Sequence, residues 1–215
     1  MPSLPTVVVA IIIANVLVSF IGFKNPTFFQ RYQFQMAKIK SGDQLRLWTS
    51  GFLHVDLNHL FVNMLSLYFF AGPVVYNLGE LKFLALYFTS LYLGNYLSYR
   101  YHNADENYTA VGASGAVSGV VYSAVLLYPE MKMMLLFLPI PLPAYVFATL
   151  YLIYTMYGMK KQGDNIGHTA HFGGAVAGLL ATIAFVPSVL VNSASTLVIL
   201  LGILVIAAAI FRRVK

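Results

Sequence analysis

Long apolar runs separated by short polar stretches recur along the whole chain. A bilayer core is crossed by roughly 20 apolar residues in a helix rising about 1.5 Å per residue. On that measure the pattern predicts spans at 6–23, 54–76, 81–99, 111–128, 144–159, 167–186 and 195–211. The first is interrupted only by Asn15, whereas the second is polar at its start, with His59 and Asn63. The connection from Lys24 to about Phe52 is far longer than any other. It mixes Phe28, Phe29, Tyr32, Phe34, Met36 and Trp48 with Lys and Arg, which suits a segment lying in the membrane interface. Residues 100–108 read as a water-facing loop. Residues 129–143 read as an interfacial turn, because Pro139, Pro141 and Pro143 break helix.

Composition agrees with this pattern. Of 215 residues, 59% are hydrophobic and 9% charged, against about 45–50% and about 25% in soluble domains. An ordinary soluble enzyme, a disordered chain and a secreted disulfide scaffold are excluded, leaving an all-α polytopic membrane protein. The length suits one membrane domain, 1–215, with no internal repeat. Cysteine is absent, which removes disulfides, a thiol nucleophile and thiolate metal sites. The 13 basic residues, net charge +6, are scattered through short loops and the C-terminus. Topology and lipid headgroups account for them better than nucleic acid does. The N-terminal Met-Pro-Ser-Leu-Pro has no basic region or cleavage site, so the first run is read as a retained helix.

Polar side chains inside a membrane are costly and are functional candidates by default. Four places qualify: His54/His59/Asn63, Gly112-Ala113-Ser114-Gly115, Ser118, and His168/His171. They fall near the starts of the second, fourth and sixth spans, and starts of even-numbered spans face one side of the membrane. The fourth span is short after Ser114, so the chain is expected to dip inward as irregular backbone and begin its helix near Ser114. Such backbone is tolerated at depth when packed in protein or lining a wet cavity. Gly115-xxx-Gly119 and Gly174-xxx-Gly178 are close-packing signatures that would bring the fourth and sixth spans together.

A serine hydroxyl becomes a nucleophile when a base accepts its proton, and His171 is the natural base for Ser114. His59 and Asn63, one turn apart on one helix face, join the Ser114 N–H as donors for an oxyanion. Apart from Asp56 at the very start of the second span, no Asp or Glu falls inside a span, so the chemistry on offer is a Ser–His dyad. The plainer readings are that Ser114 and Ser118 are small packing residues and that the histidines are interfacial hydrogen-bonders. His54/His59 and His168/His171 also have spacings that suit a metal, but no Cys, and no in-span carboxylate beyond Asp56, supports one. Neither a zinc His-Glu-x-x-His motif nor paired in-span aspartates occur, so among forms of intramembrane proteolysis only serine chemistry is open.

At His54-x4-His59-x3-Asn63, Gly112-Ala113-Ser114-Gly115 and Ala170-His171-Phe172-Gly173-Gly174 the sequence resembles the rhomboids, a family of intramembrane serine proteases. The resemblance covers a six-span core at about 4–187, and the extra span at about 195–211 is similar to "six plus one" variants. It implies Ser114 as nucleophile, His171 as general base, and His59, Asn63 and the Ser114 amide as oxyanion hole. Gly112 would line the substrate site, and His54 and Arg46 would support it from the first loop. Substrates would be transmembrane proteins within the bilayer, with no metal or organic cofactor. Two positions depart from the family pattern: Leu45-Arg46 stands where Trp-Arg is frequent, and Ser118 stands where Tyr or Phe often stacks on the catalytic His.

Basic residues in the first loop (Lys24, Arg31, Lys38, Lys40, Arg46) share one side with Lys160, Lys161, Arg212, Arg213 and Lys215 in a seven-span topology. The positive-inside rule puts that side in the cytoplasm. The resemblance implies the reverse, with the site opening to the extracytoplasmic side of a bacterial cytoplasmic (inner) membrane. Two other functions are open at this stage: a catalytically silent rhomboid-like protein that binds membrane-protein clients, and a small His-lined transporter.

Overall fold

The computed structural model describes residues 4–135, 138–161 and 166–212. Met1–Ser3 and the basic residues Arg213 and Lys215 lie outside the described residues. Seven long or apolar helices fall where the hydrophobic pattern put them: α1 (Thr6–Lys24), α5 (Leu57–Leu78), α6 (Glu80–Tyr101), α7 (Ser114–Leu127), α8 (Ala144–Lys161), α9 (His168–Phe185) and α11 (Ala194–Arg212). Among the described residues there are also four short α-helices: α2 (Pro26–Tyr32), α3 (Met36–Lys40), α4 (Arg46–Thr49) and α10 (Val189–Asn192). By length and composition α1, α5 and α9 are sufficient to cross a membrane, while α7 and the 194–206 part of α11 are apolar but shorter. This is an all-α polytopic membrane fold.

Helix α7 is the hub. Every residue from Gly115 to Leu126 is buried, as expected of a helix that is apolar all round. It is enclosed by α5, α6, α8 and α9, while α1 packs on α5 and α11 on α8. Its 14 residues rise only about 21 Å, short of a ~30 Å hydrocarbon core.

The 24–52 connection folds on itself instead of running as an open strap. Phe34, Met36, Ile39 and Leu47 form a small core, and Trp48 stacks on Tyr92 of α6 at 4.8 Å. A two-residue strand β1 (Phe34–Gln35) pairs antiparallel with β2 (Thr109–Ala110), tying this loop to the segment that leads into α7. Two expectations are corrected. The proline-rich 129–143 stretch holds an antiparallel hairpin of β3 (Lys132–Leu135) and β4 (Leu138–Pro143). Proline excludes helix there but is tolerated in a strand whose other face has no ladder partner. The second span begins at Leu57, because the Asp56 carboxylate caps the helix by accepting the His59 N–H at 2.7 Å. His54 therefore lies in the loop ahead of the helix.

Candidate active site at the start of the central helix

Ser114 is the first residue of α7, and three backbone constraints put it there. Gly112 has φ +132°, a conformation that L side chains rarely adopt, and this turns the chain into the helix. Its N–H donates to the Ser50 carbonyl at 3.0 Å. The next N–H, of Ala113, donates to His54 Nε2 at 3.3 Å. The first helical bond follows, from the Val117 N–H to the Ala113 carbonyl. In the first turn of a helix the N–H groups lack intrahelical acceptors and carry the positive end of the helix dipole. The Ser114 N–H is one of them.

The two small-residue signatures meet. Gly115 faces the Ala170 carbonyl, and a Cβ on Gly174 would run into the Gly115 carbonyl. One turn on, a Cβ on Gly178 would collide with the backbone of Gly119. On the other side of α9, Gly94 of α6 lies against the Ala170 carbonyl and Gly173 against the Gly94 Cα. Backbone thus touches backbone along α6, α7 and α9. The neighbours of Ser114 and His171, namely Gly115 and Ala170, are in direct contact, so both side chains share one end of the seam. His171 is buried, and Ser114 is half-buried.

From α5, His59 closes over the same spot. A methyl group at Gly112 would sit 2.7 Å from His59 Cε1, 2.9 Å from its Nε2 and 3.6 Å from Ser114 Oγ. Only glycine leaves room for that imidazole. Asn63, one turn further along α5, is buried and donates one amide N–H to the His59 carbonyl at 2.9 Å, leaving its second N–H free of that bond.

His54 stands behind this cluster. Its ring lies edge-on to His59, with centroids 4.9 Å apart. The Ser19 hydroxyl donates to the Phe52 carbonyl at 3.0 Å, so it accepts from His54 Nδ1–H at 2.9 Å. Nε2 is then left to accept the Ala113 N–H. Only a neutral ring satisfies both contacts. Burial, helped by His59 and opposed by Asp56, pushes the His54 pKa down to about 3. Arg46 does not line the cluster. It is a buried strut of the first loop, bonded to Asp43 at 2.9 Å and to the Gln30 and Gln33 carbonyls at 2.8 Å each. His168 neighbours His171, its ring edge-on to that imidazole with centroids 6.2 Å apart, and it packs against Gly158 and edge-on to Tyr154 of α8. Among the described residues no group of three or more His, Asp or Glu is arranged to hold a metal.

One neighbour was not read from the sequence. The hydroxyl of Tyr151, on α8, lies 2.9 Å from His171 Nδ1, with the two rings inclined by 27° at 6.1 Å. Ser118, buried on α7, faces the same phenol. Tyr151 belongs to an aromatic series (Tyr145, Phe147, Tyr151, Tyr154, Tyr157), and nothing in the sequence separates it from the others.

The Rhomboid domain family matches residues 41–188, well over half of the chain. The chain belongs to the rhomboid family. Among its relatives, RHOMBOID-like protein 12, mitochondrial, of Arabidopsis thaliana is 30% identical over 193 residues, covering 81% of this chain and 57% of that protein. Rhomboid protein 1, mitochondrial, of Saccharomyces cerevisiae is 29% identical over 156 residues, covering 71% and 45%. Presenilin-associated rhomboid-like protein, mitochondrial, of Homo sapiens is 31% identical over 136 residues, covering 60% and 35%. This rhomboid thus spans between about a third and somewhat over half of these relatives. It is an integral membrane protein. The three relatives are mitochondrial by name, so they do not support the bacterial inner membrane expected from the sequence.

Proposed function

We propose that this rhomboid is an intramembrane serine endopeptidase that cleaves peptide bonds in or near transmembrane segments of membrane proteins. The observation that supports the reading is that Ser114 and His59 meet around Gly112, while Gly115 and Ala170, the chain neighbours of Ser114 and His171, are in contact at the same end of the α7–α9 seam. In this reading Ser114 Oγ attacks the scissile carbonyl while its proton passes to His171 Nε2. The tetrahedral oxyanion is met by the Ser114 N–H, at the positive end of α7, and by donors from His59 and Asn63. His171 then returns the proton to the departing amine as the C–N bond breaks, and water repeats the sequence on the acyl-enzyme. His54 and Arg46 act at a distance, holding the Ala113 amide and the first loop.

A substrate helix must unwind locally to offer a carbonyl, which favours helix-breaking, small-residue segments near the face where Ser114 lies. We read that face as the extracytoplasmic one, following the family resemblance; the basic first loop is a folded interfacial structure with its own core and ion pairs. Cleavage of a tagged single-span reporter in liposomes tests the proposal. Wild type is expected to cut, and Ser114→Ala and His171→Ala to fall to background while staying folded. Loss of an oxyanion donor in Asn63→Ala is expected to lower kcat by about 10²–10³. Cleavage by Ser114→Ala would overturn the assignment. Failure of wild type on several helix-destabilised reporters would favour a client-binding rhomboid that does not cut.

A further inference from the structure

We infer that Tyr151 is the positioning residue that sets the tautomer of His171, with its phenol oxygen accepting the Nδ1–H bond and its own proton directed to Ser118 and Thr155. For its catalytic meaning the inference rests on the serine-protease reading above.

The geometry admits two arrangements. If the phenol donates to Nδ1, the ring carries its proton on Nε2 and cannot accept one from Ser114. If the phenol accepts from Nδ1–H, then Nε2 is bare and basic, as the dyad requires. The second arrangement needs an acceptor for the phenol's own proton. Two hydroxyls bear on it: Ser118 from α7, and Thr155, one turn along α8. The Thr155 hydroxyl is buried and makes no hydrogen bond to any described residue, so it stands free to receive one. An orphan acceptor beside a buried phenol is costly unless the phenol turns toward it. The small side chain at Ser118 also leaves the space beside His171 that the ring of Tyr151 occupies.

This bond grows during the reaction. In the resting site it joins a neutral imidazole to a neutral phenol. Once Ser114 has given its proton to Nε2, the same Nδ1–H belongs to an imidazolium, and a charge-assisted bond is roughly twice as strong. The phenol keeps its proton throughout, and the proton on Nε2 goes to the leaving amine. A contact that strengthens only as charge develops raises kcat and leaves KM alone. The gain from neutral to charged partner corresponds to about fivefold to tenfold in rate.

The experiment uses the full chain in liposomes and in detergent micelles, with two readouts. Nitrogen-15 spectra of histidine-labelled protein, with the His171 signals identified by their loss in His171→Ala, report which ring nitrogen is protonated. Reporter cleavage gives kcat and KM. Wild type is expected to hold His171 as the Nδ1–H form. Tyr151→Phe keeps the ring but should shift His171 toward the Nε2–H form and lower kcat about fivefold to tenfold with KM within twofold. Ser118→Ala/Thr155→Val leaves the phenol with no other acceptor. Its proton should turn to Nδ1, and kcat should fall at least as far as in Tyr151→Phe. An Nε2–H ring in wild type, or an unchanged tautomer and kcat in folded Tyr151→Phe, would overturn the inference, and a tautomer shift with no fall in kcat would overturn its catalytic part. If wild type fails to cleave while the tautomer responds as expected, the protease reading falls and the hydrogen-bond assignment stands.

Discussion

The seam where α6, α7 and α9 meet and the flanks that surround it are built from different contacts. In the seam, glycine backbones touch: Gly94 on Ala170, Gly115 on Gly174, Gly119 on Gly178. In the flanks, side chains bridge the gaps. Helix α8 is tied by phenols, with the Tyr122 hydroxyl donating to the Ala148 carbonyl at 2.8 Å, the Tyr101 hydroxyl to the Met159 carbonyl at 3.1 Å, and Tyr151 paired with His171. The first loop is tied by His54, Arg46 and Asn95, whose amide donates to the Leu47 carbonyl at 2.8 Å. Backbone contact leaves no rotamer to adjust, so the seam fixes the spacing of Ser114 and His171. Side-chain ties are individually modest and local, so the flanks tune the chemistry of a pair already placed.

That contrast is most exposed to Gly174→Val. The added carbons would meet the Gly115 carbonyl, which cannot swing away. The loss is expected to exceed the ~1–3 kcal/mol usual for overpacking and to abolish folded protein in detergent thermal unfolding. Gly72→Ala, where a Cβ would meet nothing within 4 Å, should fold normally. Equal behaviour of the two would break the seam argument.

Acid acts next, through the first loop. His54 stays neutral in the fold, its pKa down at about 3 against an ordinary 6.5, chiefly through burial. Below about pH 6.5 the unfolded chain binds a proton that the folded chain refuses. Stability therefore drops as pH falls from about 6.5 toward 3, by up to about 1.4 kcal/mol per pH unit, and the effect levels off below that window. Measured as unfolding midpoints at pH 7 and pH 4.5, His54→Gln should show a smaller acid loss than wild type. An identical loss would remove His54 from this role.

Smaller still is Tyr122→Phe. Losing its bond to the Ala148 carbonyl should cost about 1 kcal/mol, with reporter kcat/KM within about threefold, because Ser114 and His171 are held by the seam. A large activity loss at unchanged stability would show α8 setting the dyad spacing. At the bottom of the scale, Leu180→Ala lies on the outward face of α9, 58% exposed, and should stay within about 0.5 kcal/mol of wild type.

Much of this was legible in the chain itself, and the residues show why. The helices at 6–24, 80–101 and 194–212 follow from apolar runs long enough to dictate helix in a bilayer. The start of α7 at Ser114 follows from a run too short to cross. The meeting of Gly115/Gly119 with Gly174/Gly178 follows from spacing, since small residues four apart make a continuous flat strip on a helix. Other features were opaque for equally physical reasons. The start of α5 turned on whether Asp56 would cap a helix or join the loop, a local choice that hydrophobicity does not register. The 129–143 hairpin was hidden because proline marks where helix fails without saying what replaces it.

Sequence by itself determined the membrane class, the order of the helices and the candidates Ser114, His171, His59 and Asn63, because periodicity, length and the cost of polar groups in lipid are properties of single segments. Tertiary structure alone decided that His54 grips the Ala113 amide, that Arg46 braces the first loop away from the cluster, and that one tyrosine of several on α8 reaches His171. Those are contacts between segments distant in the chain. A hydrogen bond of 2.9 Å depends on the rotation and depth of both helices, which no one-dimensional pattern carries.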